Sequence, residues 1–126
     1  MNEERTVFAR VGGLPAFVAL VDAFYDRVEH DPLLRPMYPD DLGPGKEGLA
    51  LFFAQYWGGG DLYSADRGHP RLRMRHAPFP VGSEQITAWL TDMRGALDEI
   101  APAQAEADEL WAYFERAAHF LRNSEG

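Results

Sequence analysis

The chain has 126 residues, 46% of them apolar and 25% charged, a globular composition long enough to bury one core without a disulfide or metal staple. It has no cysteine, which excludes a disulfide scaffold, thiolate zinc sites, cysteine-ligated iron–sulfur clusters and cysteine nucleophiles. Twenty Asp and Glu face twelve Lys and Arg, a net charge of −8, which is the wrong sign for a nucleic-acid binder that works by neutralising phosphates.

The opening MNEERTVFAR carries no apolar signal core. No stretch approaches the roughly 18 apolar residues of a membrane span, so a cytoplasmic protein without a membrane anchor is expected. Residues 15–30 place Phe17, Leu20, Val21, Phe24, Tyr25 and Val28 at steps of three and four, which predicts a helix. Pro15 suits its first turn after the Gly12-Gly13 break, and Pro32 ends it. In DPLLRPMYPDDLGPG the prolines at 32, 36, 39 and 44 forbid a long helix and leave Tyr38 in an irregular corner. A second helix follows from about Pro44 to Trp57, with Leu49, Phe52, Phe53 and Tyr56 as its apolar face and Gly58 to Gly60 as its stop. Residues 61–81 read as loop, with one short helix around 70–77. A third long helix runs from Ser83, read as its N-cap, to Ile100, striped by Ile86, Trp89, Leu90, Met93 and Leu97. Pro102 separates it from a last helix to about Arg122, striped by Leu110, Trp111, Phe114, Ala118 and Leu121. The alternation in PRLRMRH is strand-like, but one strand cannot make a sheet. The class is all-α, one domain over residues 1–126, with four main helices.

The stretch GHPRLRMRHAPF at 68–79 concentrates the chemistry. Arg67, Arg71, Arg73 and Arg75 fall within nine residues and surround His69 and His76. A lone histidine is more often a surface or core residue than a ligand. No HExxH and no paired histidine at helical spacing occurs, which argues against a zinc hydrolase or a carboxylate-bridged di-iron site. One histidine with a surplus of aromatics, which are 13% of the chain, suits haem, because the porphyrin supplies four of the iron's ligands itself. His76 stands with Leu72, Met74 and Phe79 as apolar neighbours and with arginines to meet the propionates. Tyr25, Tyr38 and Trp89 are polar tips on apolar faces. Each alone reads as core, and together they suit a pocket that hydrogen-bonds a small ligand. The acidic residues read as solvated helix faces.

These segments resemble the truncated haemoglobins, in particular their second group. The resemblance runs through VGGLPAF at 11–17, FYDRV at 24–28, LLRPMYP at 33–39, FFAQYWGG at 52–59 and YSADRGHPRLRMRHAPF at 63–79. AWL at 88–90 and AAHFLRNS at 117–124 complete it. It implies a two-over-two helical sandwich around haem b (iron protoporphyrin IX), with His76 as the proximal iron ligand. It further implies Arg75 and Tyr63 at the propionates and Tyr25, Tyr38 and Trp89 on the distal side. Leu49, Phe52 and Phe53 match the distal-helix wall, and Leu72 and Phe79 the haem pocket. Gly45 falls where many globins carry the distal histidine.

Two function classes follow from the resemblance. One is a binder that carries, stores or senses O2, with CO and NO as further ligands, at a five-coordinate iron. The other is a redox enzyme that oxidises NO with bound O2 or uses peroxide, which needs an external reductase. A homo-oligomer stays open. A third reading, an anion site built on Arg67 to Arg75, is disfavoured by the net charge of −8.

Overall fold

The structure, a computed structural model, describes residues 6–67 and 81–122. Among these there are six helices and no strand. They are α1 (Val7–Val11), α2 (Leu14–Glu29), α3 (Gly43–Tyr56), α4 (Leu62–Arg67), α5 (Ser83–Ile100) and α6 (Gln104–Phe120), with a 3₁₀ turn at Arg35–Met37. The four long helices fall within two residues of the expected spans. Helix α2 lies against both α3 and α5, while α5 packs on α6 and α1 touches α6. Two helix pairs thus face each other, α2 with α3 and α5 with α6.

Periodicity explains the long helices. Phe17, Leu20, Val21, Phe24, Tyr25 and Val28 of α2 are all buried, as the stripe requires. Pro15 sits in the first turn, where its missing N–H costs nothing. Helix α3 departs from expectation. Its buried face is Gly48, Ala50, Phe53 and Ala54, and Tyr56 is 49% exposed. Leu49 and Phe52 lie on a second, half-buried face. The cap of α5 lies one residue earlier than it was read. Gly82 is the N-cap, and its N–H donates to Gln85 Oε1 at 3.0 Å, so Ser83 is already helical.

Two short helices had no periodic signal. Helix α1 is held by the Thr6 hydroxyl, which accepts from Ala9 N–H at 3.1 Å, and ends at left-handed Gly12. Helix α4 occupies part of the stretch read as loop. Gln55 holds it by donating to the Ser64 hydroxyl at 2.9 Å and accepting from Ser64 N–H at 2.8 Å. The expected short helix around 70–77 lies outside the described residues.

The glycine run after α3 does more than stop a helix. Phe8 N–H donates to the Trp57 carbonyl at 3.0 Å, which lays the N-terminal segment across the run. A Cβ on Gly58 would meet Thr6 Cβ at 2.7 Å, and one on Gly59 would meet the Ala54 carbonyl oxygen and Phe8 Cε1 at 2.8 Å.

The core is aromatic. Phe114 of α6 is fully buried and touches Phe53 of α3 at 5.1 Å between ring centroids, Trp57 at 5.7 Å and Trp89 of α5 at 5.9 Å. Trp89 meets Phe24 of α2 at 5.3 Å. Ion pairs such as Arg10–Glu106 at 3.0 Å and Lys46–Asp22 at 3.7 Å also join helices, but exposed pairs contribute little. Phe114→Ala is expected to cost about 3–5 kcal/mol, read as a fall in the urea midpoint at unchanged slope. A loss under about 1 kcal/mol would show that the four helices do not depend on this ring.

Candidate functional site

A cavity of about 380 Å³ opens between α2, α3, α5 and α6. Its size lies in the ordinary range of small-molecule sites, roughly 300–1,000 Å³. Each wall comes from a different element. Tyr25 projects from α2. Met37 and Tyr38 come from the proline-rich corner. Gly45, Leu49, Phe52 and Phe53 come from α3, and Tyr63 from α4. Ile86 and Trp89 come from α5, and Ala117, Ala118 and Leu121 from the end of α6. Every candidate site residue within the described part of the chain therefore lines one cavity. Leu72, Arg75, His76 and Phe79 lie outside the described residues. Tyr63 and Val81, on either side of that segment, both line the cavity.

The corner that presents Tyr38 is built locally. The prolines prevent helix, and the Arg35 guanidinium donates to the carbonyls of Tyr38, Pro39 and Asp40 at 3.3, 3.1 and 3.2 Å. The backbone of the corner is thereby fixed while the Tyr38 ring turns inward. Tyr38 and Tyr25 meet edge to face at 5.7 Å. The Trp89 indole, whose N–H can only donate, lies near the Tyr38 phenol and opposes the rise of its pKa.

Burial strengthens the hold of both phenols on their protons. Desolvation pushes Tyr25 up to about 12. Desolvation, then the neighbouring Tyr25 and the Asp92 charge, push Tyr38 well above the usual tyrosine range, with the Trp89 indole opposing. Both keep their protons at neutral pH and remain donors. The Tyr38 proton is not used by the Trp89 contact and can be directed into the cavity.

Gly45 has a specific reason to lack a side chain. A Cβ there would lie 2.9 Å from the Tyr25 hydroxyl. The Tyr25 phenol occupies the space that a side chain at position 45 would use, so the cavity's donor comes from α2 in place of α3.

Sequence reasoning missed part of the lining. Met37, Val81 and Gln85 carried no signal, while Ile86, Ala118 and Leu121 were read as core stripe. They belong to both, because the cavity is an extension of the core surface. Tyr113 also lines the cavity, and the exposed Tyr56 ring stacks on it at 4.1 Å. Tyr56 was read as part of the α3 core face and instead covers this spot from outside.

The chemistry of the lining fits haem on the walls that are described. The walls are aliphatic and aromatic, as a flat apolar body requires, with polar tips gathered at Tyr25, Tyr38 and Trp89. Among the described residues no group of three or more His, Asp or Glu could hold a bare metal ion. No described helix is long and apolar enough to cross a membrane.

The bacterial-like globin family profile matches residues 6–123. A group 2 truncated haemoglobin of Bacillus subtilis is 40% identical over 104 residues, 82% of this chain and 79% of that protein. The crystal structure of a thermostable haemoglobin from the actinobacterium Thermobifida fusca is 49% identical, covering 94% of this chain and 97% of that one, with a TM-score of 0.91. A truncated oxygen-avid haemoglobin from Bacillus subtilis is 36% identical, covering 94% and 100% of the two chains, with a TM-score of 0.90.

The steric role of Gly45 is testable by a double-mutant cycle. Gly45→Ala should destabilise the parent, and should cost about 1 kcal/mol less in a Tyr25→Phe background, where the obstructing hydroxyl is gone. Equal costs in both backgrounds would show that Tyr25 does not fill this space.

Proposed function

The chain belongs to the bacterial-like globins, among the group 2 truncated haemoglobins, and from that premise we propose a specific O2-binding protein. As a globin it is a haem protein that binds small gas ligands. The finer reading is that His76 ligates the iron of haem b, and that Tyr25, Tyr38 and Trp89 retain O2 on the opposite side. When bound, haem supplies an iron with an open position for a diatomic gas.

One observation carries this reading. Three polar-tipped aromatics from three separate elements converge on one otherwise apolar cavity. Tyr25 and Tyr38 are protonated donors, and Trp89 brings an indole N–H to the same cavity. The surrounding Leu49, Phe52 and Phe53 present apolar surface, and a hydrogen bond is stronger in a setting of low dielectric. For His76 the support is tethering: the segment that contains it is joined to the cavity wall at Tyr63 and at Val81. Arg75 beside it is assigned to a propionate, by charge and by the family pattern.

A hydrogen bond to an acceptor carrying charge is worth about 1.5–3 kcal/mol net. Two such bonds slow release of O2 by about a hundredfold or more. A protein that holds O2 so long suits scavenging, sensing or chemistry better than delivery. The relative described as oxygen-avid fits the same expectation.

A second reading has one observation in its favour. Tyr56, at the surface, stacks on Tyr113 of the cavity wall, so aromatic rings join the outside to the site. That arrangement suits electron delivery by an external reductase for oxidation of NO with O2, or for reduction of peroxide. Steady NO consumption with a reductase present would support the enzyme, and a single stoichiometric burst would support the binder.

The binding reading predicts a strong Soret band and a CO shift in the reduced parent, both lost or disturbed in His76→Ala. No Soret band after addition of hemin would remove it. Trp89→Phe should release O2 about tenfold faster or more, because it removes the one indole donor at the cavity. Unchanged release in that variant would take Trp89 out of the donor set.

A further inference from the structure

The α4 wall of the cavity is held by a side chain outside the proposed site. Helix α4 has six residues, too few to be stable as an isolated helix in water. Its first intrahelical bond runs from Ala65 N–H to the Asp61 carbonyl at 2.7 Å, so the N–H groups of Leu62, Tyr63 and Ser64 find no acceptor within the helix. A side chain at a helix's own cap ordinarily accepts from one of these early N–H groups. In α4 the acceptor for Ser64 comes from another helix. Ser64 N–H donates to Gln55 Oε1 of α3 at 2.8 Å, and Gln55 Nε2 donates to the Ser64 hydroxyl at 2.9 Å.

The two bonds determine which way the carboxamide faces. A backbone N–H can only donate, so the amide oxygen lies on that side and the nitrogen on the hydroxyl. Engaged at both ends, the group cannot turn without losing both bonds. Gly58 and Gly60, both left-handed, turn the chain back so that α4 meets the end of α3.

One turn earlier on the same face of α3, Phe52 meets the Tyr63 ring edge to face at 5.7 Å. Consecutive residues of α4 are thus held by residues three apart on α3, ring against ring at Tyr63 and carboxamide against backbone at Ser64. Tyr63 is buried and lines the cavity with Phe52. Gln55 and Ser64 are half-buried and neither belongs to the lining, so their contact acts from behind the wall. Apolar contact between rings is not directional enough to stop α4 sliding along α3. The paired hydrogen bonds are.

We propose that Gln55 is a positioning residue for Tyr63: its carboxamide sets the register of α4 on α3, and the firmness with which the cavity keeps a carboxylate-bearing porphyrin depends on it. This rests on the haem reading, with the Tyr63 phenol at a propionate. A binding group is only as well placed as the contacts behind it. Without Gln55, the Ser64 N–H has no acceptor but water, and a six-residue helix loses the cap that holds it. Tyr63 then loses its fixed position, while Phe52 keeps its own on the longer α3.

Two measurements on the holoprotein decide this. The first is hemin loss from the ferric form to an excess of haem-free acceptor globin, followed in the Soret band. Gln55→Leu and Tyr63→Phe should each lose hemin about tenfold faster than the parent, the scale of one hydrogen bond to a charged group. The double variant should be no faster than either single one, because Gln55 acts through Tyr63. Gln55→Glu should stay near the parental rate, since a carboxylate accepts both from the Ser64 N–H and from a hydroxyl turned to donate. The second measurement is amide hydrogen exchange at Ser64, which should be slow in the parent and about tenfold faster or more in Gln55→Leu, with the amides of α2 and α5 unchanged.

Parental hemin loss in Gln55→Leu would overturn the proposal. So would additive effects in the double variant, an effect of Gln55→Leu with none from Tyr63→Phe, or a Gln55→Glu rate equal to that of Gln55→Leu. Exchange of the Ser64 amide at the open-chain rate in the parent would overturn it as well, and that result needs no variant to fold. No Soret band after addition of hemin would overturn the haem reading and this proposal together. A normal Soret band and CO shift alongside any of the earlier outcomes would overturn the role of Gln55 alone.

Discussion

The ring contacts of Phe114 are the constraint on which the rest depends. One fully buried side chain on α6 meets Phe53 of α3, Trp57 at the end of that helix and Trp89 of α5. Trp89 in turn meets Phe24 of α2. All four long helices are thus joined through one aromatic junction. Edge-on aromatic contacts fix orientation as well as distance, because the ring quadrupole disfavours face-to-face alternatives. The consequence reaches the cavity. Trp89 cannot rotate without disturbing two helices, so its indole N–H is aimed by the core and not by the ligand. Preorganised donors of this kind need no rearrangement when a ligand arrives.

The same economy appears at Tyr25 and Tyr38. Tyr25 is almost fully buried in α2 and contributes to the core, yet its hydroxyl reaches the cavity over Gly45. Tyr38 lies in a corner whose backbone is tied by Arg35 and whose ring meets Tyr25 edge to face, near the Trp89 indole. Neither residue is purely structural or purely functional. Their apolar bodies supply packing, and their polar ends supply chemistry. That is why either reading of a single tyrosine in a helical stripe is defensible from sequence.

What was legible in the sequence follows from range. The four long helices showed because apolar residues at steps of three and four must face a core, and prolines and glycines mark where they stop. Helix α1, five residues long, and α4, six residues long, are too short to establish a period. The α5 cap was misplaced by one residue because a glycine cap carries no side-chain signature, while Ser83 beside it does. Tyr25, Tyr38 and Trp89 were grouped by type, as polar tips on apolar faces, and assigned to one side of the site only through the resemblance, since nothing local relates positions 25, 38 and 89. The acidic residues were read as solvated faces, and for Asp92 that reading fails. No local pattern reveals that the fold buries one of its oxygens.

Distance along the chain also explains why the corner matters. The three polar-tipped rings come from α2, the corner and α5, three elements that could shift independently. Aromatic packing fixes α2 to α5 through Phe24 and Trp89, and the edge-to-face contact of Tyr38 with Tyr25 ties the corner to α2. The corner has no helical stripe of its own, so apolar contact from Met37 and Leu34 and the three carbonyls held by Arg35 supply the rest. A tyrosine on a proline-rich turn is thereby positioned as firmly as one on a helix, because its ring and its backbone are each held by a different neighbour.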